Sequence, residues 1–165
     1  MKYRSNIPEY SKFVFEIEDE GFANRATVYR DSGKHNIIVA GIGYGQGSSR
    51  EHAAICPMFL GVKAVLAKSF ERIHAANLIN FGIIPLTLAS EADYEQINAG
   101  DEVTISNIRE LLTENMPLTA KINDKEIAVN YSLSERQRQI LLAGGMLAYV
   151  TGRERMCSMD LSGKL

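Results

Sequence analysis

The chain has 165 residues, 45% hydrophobic and 23% charged, a composition that suits one folded domain with a sizeable core and is unlike a disordered chain. Its 18 basic and 20 acidic residues leave a formal net charge of −2, so no global field draws it to nucleic acid or anionic lipid. No apolar run reaches the roughly 18 residues that a membrane-spanning helix needs, and the polar segment Lys2 to Asn6 gives no expectation of a signal peptide.

Taken in chain order, Tyr10, Phe13, Val14 and Ile17 are spaced like one face of a helix beginning after Pro8. Asn36 to Ala40 is a short apolar run, read as a buried strand. It leads into Gly41-Ile-Gly-Tyr-Gly-Gln-Gly47, whose four glycines in seven residues mark a loop of unusual backbone angles or close approach. Ser48 and Glu51 have the capping-box spacing, so a helix is expected from there to about Gly61. Val62 to Ala67 reads as a second buried strand. Ser69 is expected to cap a helix over Phe70 to Phe81, with Gly82 as its stop. Ile83 to Leu88 is a third short apolar run.

This alternation of strand and helix predicts right-handed crossovers and an α/β layer. The later part changes character. Glu91 to Ile97 is expected to be a short helix and Asp101 to Ser106 a strand. Leu118 to Ile122 and Glu126 to Tyr131 alternate around Asn123-Asp124-Lys125, the pattern of a hairpin. Ser134 to Val150 is expected to be one helix, with Ser134 and Gln137 as a capping box. Residues 151–165 are polar and are expected to form a loose tail. Cys56 and Cys157 lie far apart without a CxxC spacing. They make neither a disulfide framework nor a cluster motif, and read as reduced thiols of a cytoplasmic protein.

The strand, glycine loop and helix over 36–60 carry the chemistry. The first N–H groups of a helix lack internal partners and its dipole is positive there. Ser48, Ser49 and Arg50 stand at that point, and a guanidinium grips a carboxylate through two parallel bonds. A cation is unfavourable at a helix start unless an anion offsets it. Phosphate and carboxylate fit equally well, and a plain capped turn is the alternative. The loop lacks the Gly-Lys-[Ser/Thr] of a Walker loop and the G-x-G-x-x-G spacing of a dinucleotide site.

Tyr44-Gly-Gln-Gly-Ser-Ser-Arg-Glu-His-Ala-Ala54 resembles the signature of the C-terminal swivel domain of the aconitase superfamily. Lys68-Ser-Phe-Glu-Arg-Ile-His-Ala-Ala-Asn-Leu78, Gly82-Ile-Ile-Pro-Leu86 and the stretch from Arg136 to Met146 resemble its later parts, in the same order. The resemblance implies a three-layer β/β/α swivelling domain over residues 1–165, with 1–35 lacking the usual start of the domain. It implies part of a hydro-lyase, an aconitate hydratase that interconverts citrate and isocitrate through cis-aconitate. By motif position Ser48 is the base that takes the carbon-bound proton, while Ser49 and Arg50 bind a substrate carboxylate. Arg4, near a specificity loop of related subunits, is a further candidate for substrate binding. A [4Fe-4S] cluster is implied as the Lewis acid, held by residues outside this chain, so no residue here is assigned as a metal ligand.

His52 is read as structural, and His74 and Asn77 as packing or hydrogen-bonding residues; Lys68, Arg72 and Asn77 match the family pattern and are assigned no catalytic part. The implied partners are the tricarboxylate substrate and the cluster-bearing domains of the same chain or of a partner chain. The chain by itself is expected to be inactive. Two other readings remain: the small subunit of an isopropylmalate or homoaconitate isomerase, and an RNA-binding role of a cluster-free relative. The net charge of −2 and the lack of basic clusters interleaved with aromatics argue against RNA.

Overall fold

The computed structural model describes residues 5–47 and 50–152, and the backbone of 161–164. Helices α1 (Ile7–Ser11) and α2 (Phe22–Asp31) precede strand β1 (His35–Ala40). Helix α3 (His52–Phe59), β2 (Val62–Ala67), α4 (Arg72–Asn80) and β3 (Ile84–Leu88) follow. A 3-10 helix, Glu91–Gln96, leads to β4 (Glu102–Ile105), α5 (Ile108–Glu114), β5 (Leu118–Ile122) and β6 (Lys125–Asn130). Helices α6 (Glu135–Ala143) and α7 (Met146–Thr151) come next, and β7 (Leu161–Lys164) is the last described element.

Strands β1, β2 and β3 run parallel, β7 joins β1 in parallel, the other pairings are antiparallel, and the sheet closes in the order β1-β2-β3-β6-β5-β4-β7. The parallel strands are apolar on both faces, as strands covered on both sides must be. Ile37, Ala64, Leu66, Ile84 and Leu86 point inward against Val103, Ile105, Leu118, Ala120, Ile122, Ile127 and Val129 of the antiparallel half. Ile38, Val62, Val65 and Ala67 point outward against Ala54 of α3 and Leu78 of α4. Two sheet layers and one helical layer result. This is the α/β, three-layer β/β/α arrangement that the sequence leads one to expect. Asn36 pairs with Val62 and Ile37 with Ala64, so Lys63 is an extra residue in β2. That irregularity lets Val62 and Val65 serve the same face.

Several boundaries differ from the sequence-based expectation. The apolar spacing after Pro8 yields only the five residues of α1. The chain then turns, with Phe15 at φ +57, and Ile17 is left 95% exposed. Ser48 lies outside the described residues, and α3 begins at His52 with Glu51 as its N-cap and no side-chain cap bond. Ser69 does not cap α4, which starts at Arg72; its hydroxyl oxygen instead accepts from the N–H of Gly43 at 2.8 Å. The single helix expected over 134–150 is two, because Gly144 (φ +89) and Gly145 (φ +122) break it. The capping box of Ser134 and Gln137 is present as expected. The hairpin turn is Asn123-Asp124, with Asn123 at φ +52 and Ile122 paired to Lys125. Helices α2 and α5 carried no clear periodicity. Inside the segment expected as a loose tail, Leu161–Lys164 pairs with both β1 and β4, whose edges it satisfies.

Gly82 ends α4 at φ +74, and a Cβ there would lie 2.7 Å from the carbonyl oxygen of Gly144. Backbone packs on backbone at this point, so neither side can yield cheaply. Gly82→Ala is expected to cost roughly 3 kcal/mol in urea unfolding. Gly33→Ala, also at positive φ (+79) but with open space around it, should cost only about 1 kcal/mol.

Candidate functional site

The glycine-rich turn leaves the carboxyl end of β1, and the 68–71 segment leaves the carboxyl end of the neighbouring β2. Crevices at such strand ends are where open parallel sheets place ligands. The two segments are stitched together by backbone. The N–H of Tyr44 donates to the carbonyl of Ser69 (2.9 Å), and that of Glu71 donates to the carbonyl of Tyr44 (3.0 Å). The N–H of Lys68 reaches the carbonyls of Ala40 and Gly41, each at 3.2 Å.

Gly43 (φ +68), Gly45 (φ +100) and Gly47 (φ +89) all take left-handed conformations. Gly45 is constrained further. Any Cβ on it would collide with the Cβ, Cγ and Cδ2 of His74. The turn therefore rests directly on the imidazole, and only glycine fits between them. The Tyr44 ring meets His74 edge-on at 5.0 Å and Phe70 at 6.1 Å. Burial pushes the Tyr44 hydroxyl up to about 12, so it stays neutral.

Two cavities flank the turn. One of about 370 Å³ is bounded by Tyr10, Phe13, Tyr44, Gly45, Arg50 and His52, among others, and also touches His74. The other, of about 400 Å³, lies between Gly45–Gly47 and the start of α4 at Glu71, Arg72, Ile73 and His74. Arg50 is exposed and lines the first cavity. His52 stacks obliquely on Tyr10 at 5.4 Å. Cys56 closes the first cavity from α3, and burial pushes its thiol up, so it is a weak nucleophile.

Of the residues singled out from sequence, Ser48, Ser49 and Arg4 lie outside the described residues. Arg50, His52 and His74 come together around the turn. Lys68 does not. Its ammonium sits 3.7 Å from a Glu95 carboxylate oxygen and 4.6 Å from the Tyr94 ring centre. Tyr10 and Phe13 in the cavity wall were not foreseen as site residues. They come from α1 and the turn that follows it, where no motif marks them.

His74 was read as a packing or hydrogen-bonding residue. It is 2% exposed, yet neither ring nitrogen has a hydrogen-bond partner among the described residues. The amide nitrogen of Asn77, one turn further along α4, is buried and unpartnered too. Burial holds the His74 pKa below its ordinary value of 6.5.

The model for the aconitase C-terminal domain matches residues 6–91, which takes in the turn, both cavities and the parallel strands. The chain belongs to the aconitase C-terminal domain family. It is 36% identical to an Aspergillus fumigatus protein named as a mitochondrial aconitate hydratase, over 93% of the chain and 22% of the relative. Against the mitochondrial aconitate hydratase of Saccharomyces cerevisiae it is 34% identical, over 87% of the chain and 19% of the relative. The chain thus spans about a fifth of the length of these relatives. Among solved structures, 3-isopropylmalate dehydratase (leuD) from Methanocaldococcus jannaschii superposes with a TM-score of 0.58 at 38% identity. That match covers 71% of this chain and 64% of the other.

These relatives correct one expectation. A cytoplasmic location was inferred from reduced cysteines and a polar start, but the aconitate hydratases found here are named as mitochondrial. Reduced thiols do not separate those compartments, so the inference had no power to choose.

The residues of this aconitase-family chain do not fit an iron–sulfur cluster. Such a cluster is held by several cysteine thiolates, whereas the sequence has two cysteines, Cys56 and Cys157. Among the described residues, no group of three or more His, Cys, Asp or Glu side chains could hold a metal ion.

The depressed His74 pKa sets a direction for stability. The unfolded chain binds the proton more readily, so stability falls as pH drops below 6.5 towards the folded-state value. Urea unfolding between pH 7.5 and 5.5 should show this loss, and His74→Phe should flatten it. An equally steep loss in the variant would assign it to other groups.

Proposed function

We propose that this chain is the substrate-binding swivel domain of an aconitate hydratase, a hydro-lyase acting on citrate and isocitrate through cis-aconitate. In this reading residues 1–165 form one domain, and the rest of the enzyme supplies the [4Fe-4S] cluster. The relatives' names support a mitochondrial place for the whole enzyme. The observation that carries the reading is Arg50 on the wall of a cavity bounded by a glycine turn, in a chain of the aconitase C-terminal domain family.

The roles of the chain's own residues follow from their chemistry. Arg50 and Ser49 bind one carboxylate of the substrate, the guanidinium as a two-toothed donor and the hydroxyl as a single one. Arg4 is assigned to a further carboxylate. Ser48 takes the carbon-bound proton and becomes a neutral hydroxyl, then returns the proton on rehydration. A serine does this only when its alkoxide is stabilised by positive groups and backbone N–H donors, and Arg50 follows two residues on in the sequence.

A second reading has one observation behind it, the likeness to the isopropylmalate dehydratase structure at 38% identity. The substrate class separates the two.

The expected result is no turnover by the 165-residue chain alone and turnover on addition of the cluster-bearing region, assayed anaerobically with citrate, homocitrate and isopropylmalate in turn. Ser48→Ala should lower kcat by about 10²–10⁴. Arg50→Lys should act mainly on KM, because a point charge replaces a fork of donors. Turnover of isopropylmalate and not citrate would favour the second reading, and full activity of Ser48→Ala would overturn the assignment of the base.

A further inference from the structure

Among the described residues, His74 and Asn77 leave buried hydrogen-bonding capacity unused, and His74 leaves both ring nitrogens so. A neutral imidazole always carries one donor and one acceptor. Both nitrogens here are buried without a partner among the described residues. A buried polar group left in that state costs about 1–3 kcal/mol, and an apolar ring of the same shape would avoid the cost. A position that only needed packing would be better served by phenylalanine.

The surroundings say what the nitrogens are for. His74 supports the turn through Gly45, against which no side chain larger than hydrogen fits. It contacts Tyr44, and it is common to the linings of both cavities. Arg50 lines the first cavity and Arg72 the second. The nitrogens are covered in this arrangement, so a partner reaches them only when the turn adjusts. Glycines at φ +100 and +89 on that turn give it the freedom to do so. Glu71, the N-cap of α4, is the one acidic side chain lining either cavity among the described residues.

We propose that His74 is a positioning residue for the glycine turn, completing a hydrogen bond from its imidazole only when a small polycarboxylate occupies the site. It sets the height at which Gly45–Gly47 holds the ligand, and ligand binding relieves the unsatisfied burial. The proposal deepens the reading of this turn as a carboxylate site and rests on it.

Nitrogen-15 spectra of the histidine rings test it, with citrate as the probe. The chain has three histidines, and the His74 signals are identified by their loss in His74→Phe. On citrate addition to the wild-type chain, and to the chain assembled with its cluster-bearing region, the His74 ring signals should shift with the midpoint of binding. His74→Phe should melt at or above the wild-type temperature while losing about tenfold or more in citrate affinity. His74→Gln, which restores one donor and one acceptor, should bind within about threefold of wild type.

Silent His74 signals at citrate saturation, absence of citrate binding in both preparations, or wild-type affinity in His74→Phe would each overturn the proposal. If the Phe variant does not fold, the wild-type spectra and His74→Gln decide. A responsive His74 without turnover by the assembled enzyme would overturn the hydro-lyase reading and leave this inference standing. Turnover with a silent His74 would do the reverse.

Discussion

Everything in this fold depends on three short parallel strands being apolar on both faces. A residue in a strand serves one face only, so two cores need both sets of alternate positions. Ile37 and Ile38 are adjacent in sequence and lie in different cores. One packs against the antiparallel half of the sheet, the other against α3 and α4. Exchange of that parity by one residue would present every side chain of the strand to the wrong layer. The extra residue at Lys63 shows how tightly the parity is managed, since it resets β2 between Val62 and Ala64.

The site is a consequence of that layering. With helices on one side and a second sheet on the other, the carboxyl ends of β1 and β2 are where the chain can open into a crevice. Helix α4 returns from β2 so that His74 lies beneath the turn leaving β1. Asn36 fixes the opposite end of the same strand. Its amide donates to the carbonyls of Ala26 (3.0 Å) and Leu60 (2.9 Å), which ties α2 and the end of α3 to β1. The glycine turn is thus carried on a strand anchored at its far end, which limits how much of the layer must move with it.

The sequence made the parallel strands, the hairpin and the second capping box legible because each has a local signature. Val62 to Ala67 is apolar at every position but Lys63. Leu118 to Ile122 alternates. Ser134 and Gln137 are three apart. The family motif around Gly45 to Arg50 was legible for the same reason, since it is contiguous. What could not be read depends on contacts between distant segments. Ser69 has the residue type of a helix cap, but the turn at Gly43 recruits its hydroxyl instead. The backbone at Gly144-Gly145 packs against Gly82, far away in sequence. His74 gave no sign of its place under Gly45, because nothing in either local pattern mentions the other.

Closure of the sheet has a kinetic meaning as well. The β5–β6 hairpin meets across two residues, and such a unit forms within microseconds. Strand β7 instead joins His35 to Gly163 and Glu102 to Lys164, pairings between remote stretches of chain. Contacts of that separation carry the largest loop-closure entropy and slow folding most. The seam is therefore the natural last step of assembly. Until it seals, β1 and β4 present open edges, and that interval is when one copy of the chain is most exposed to pairing with another.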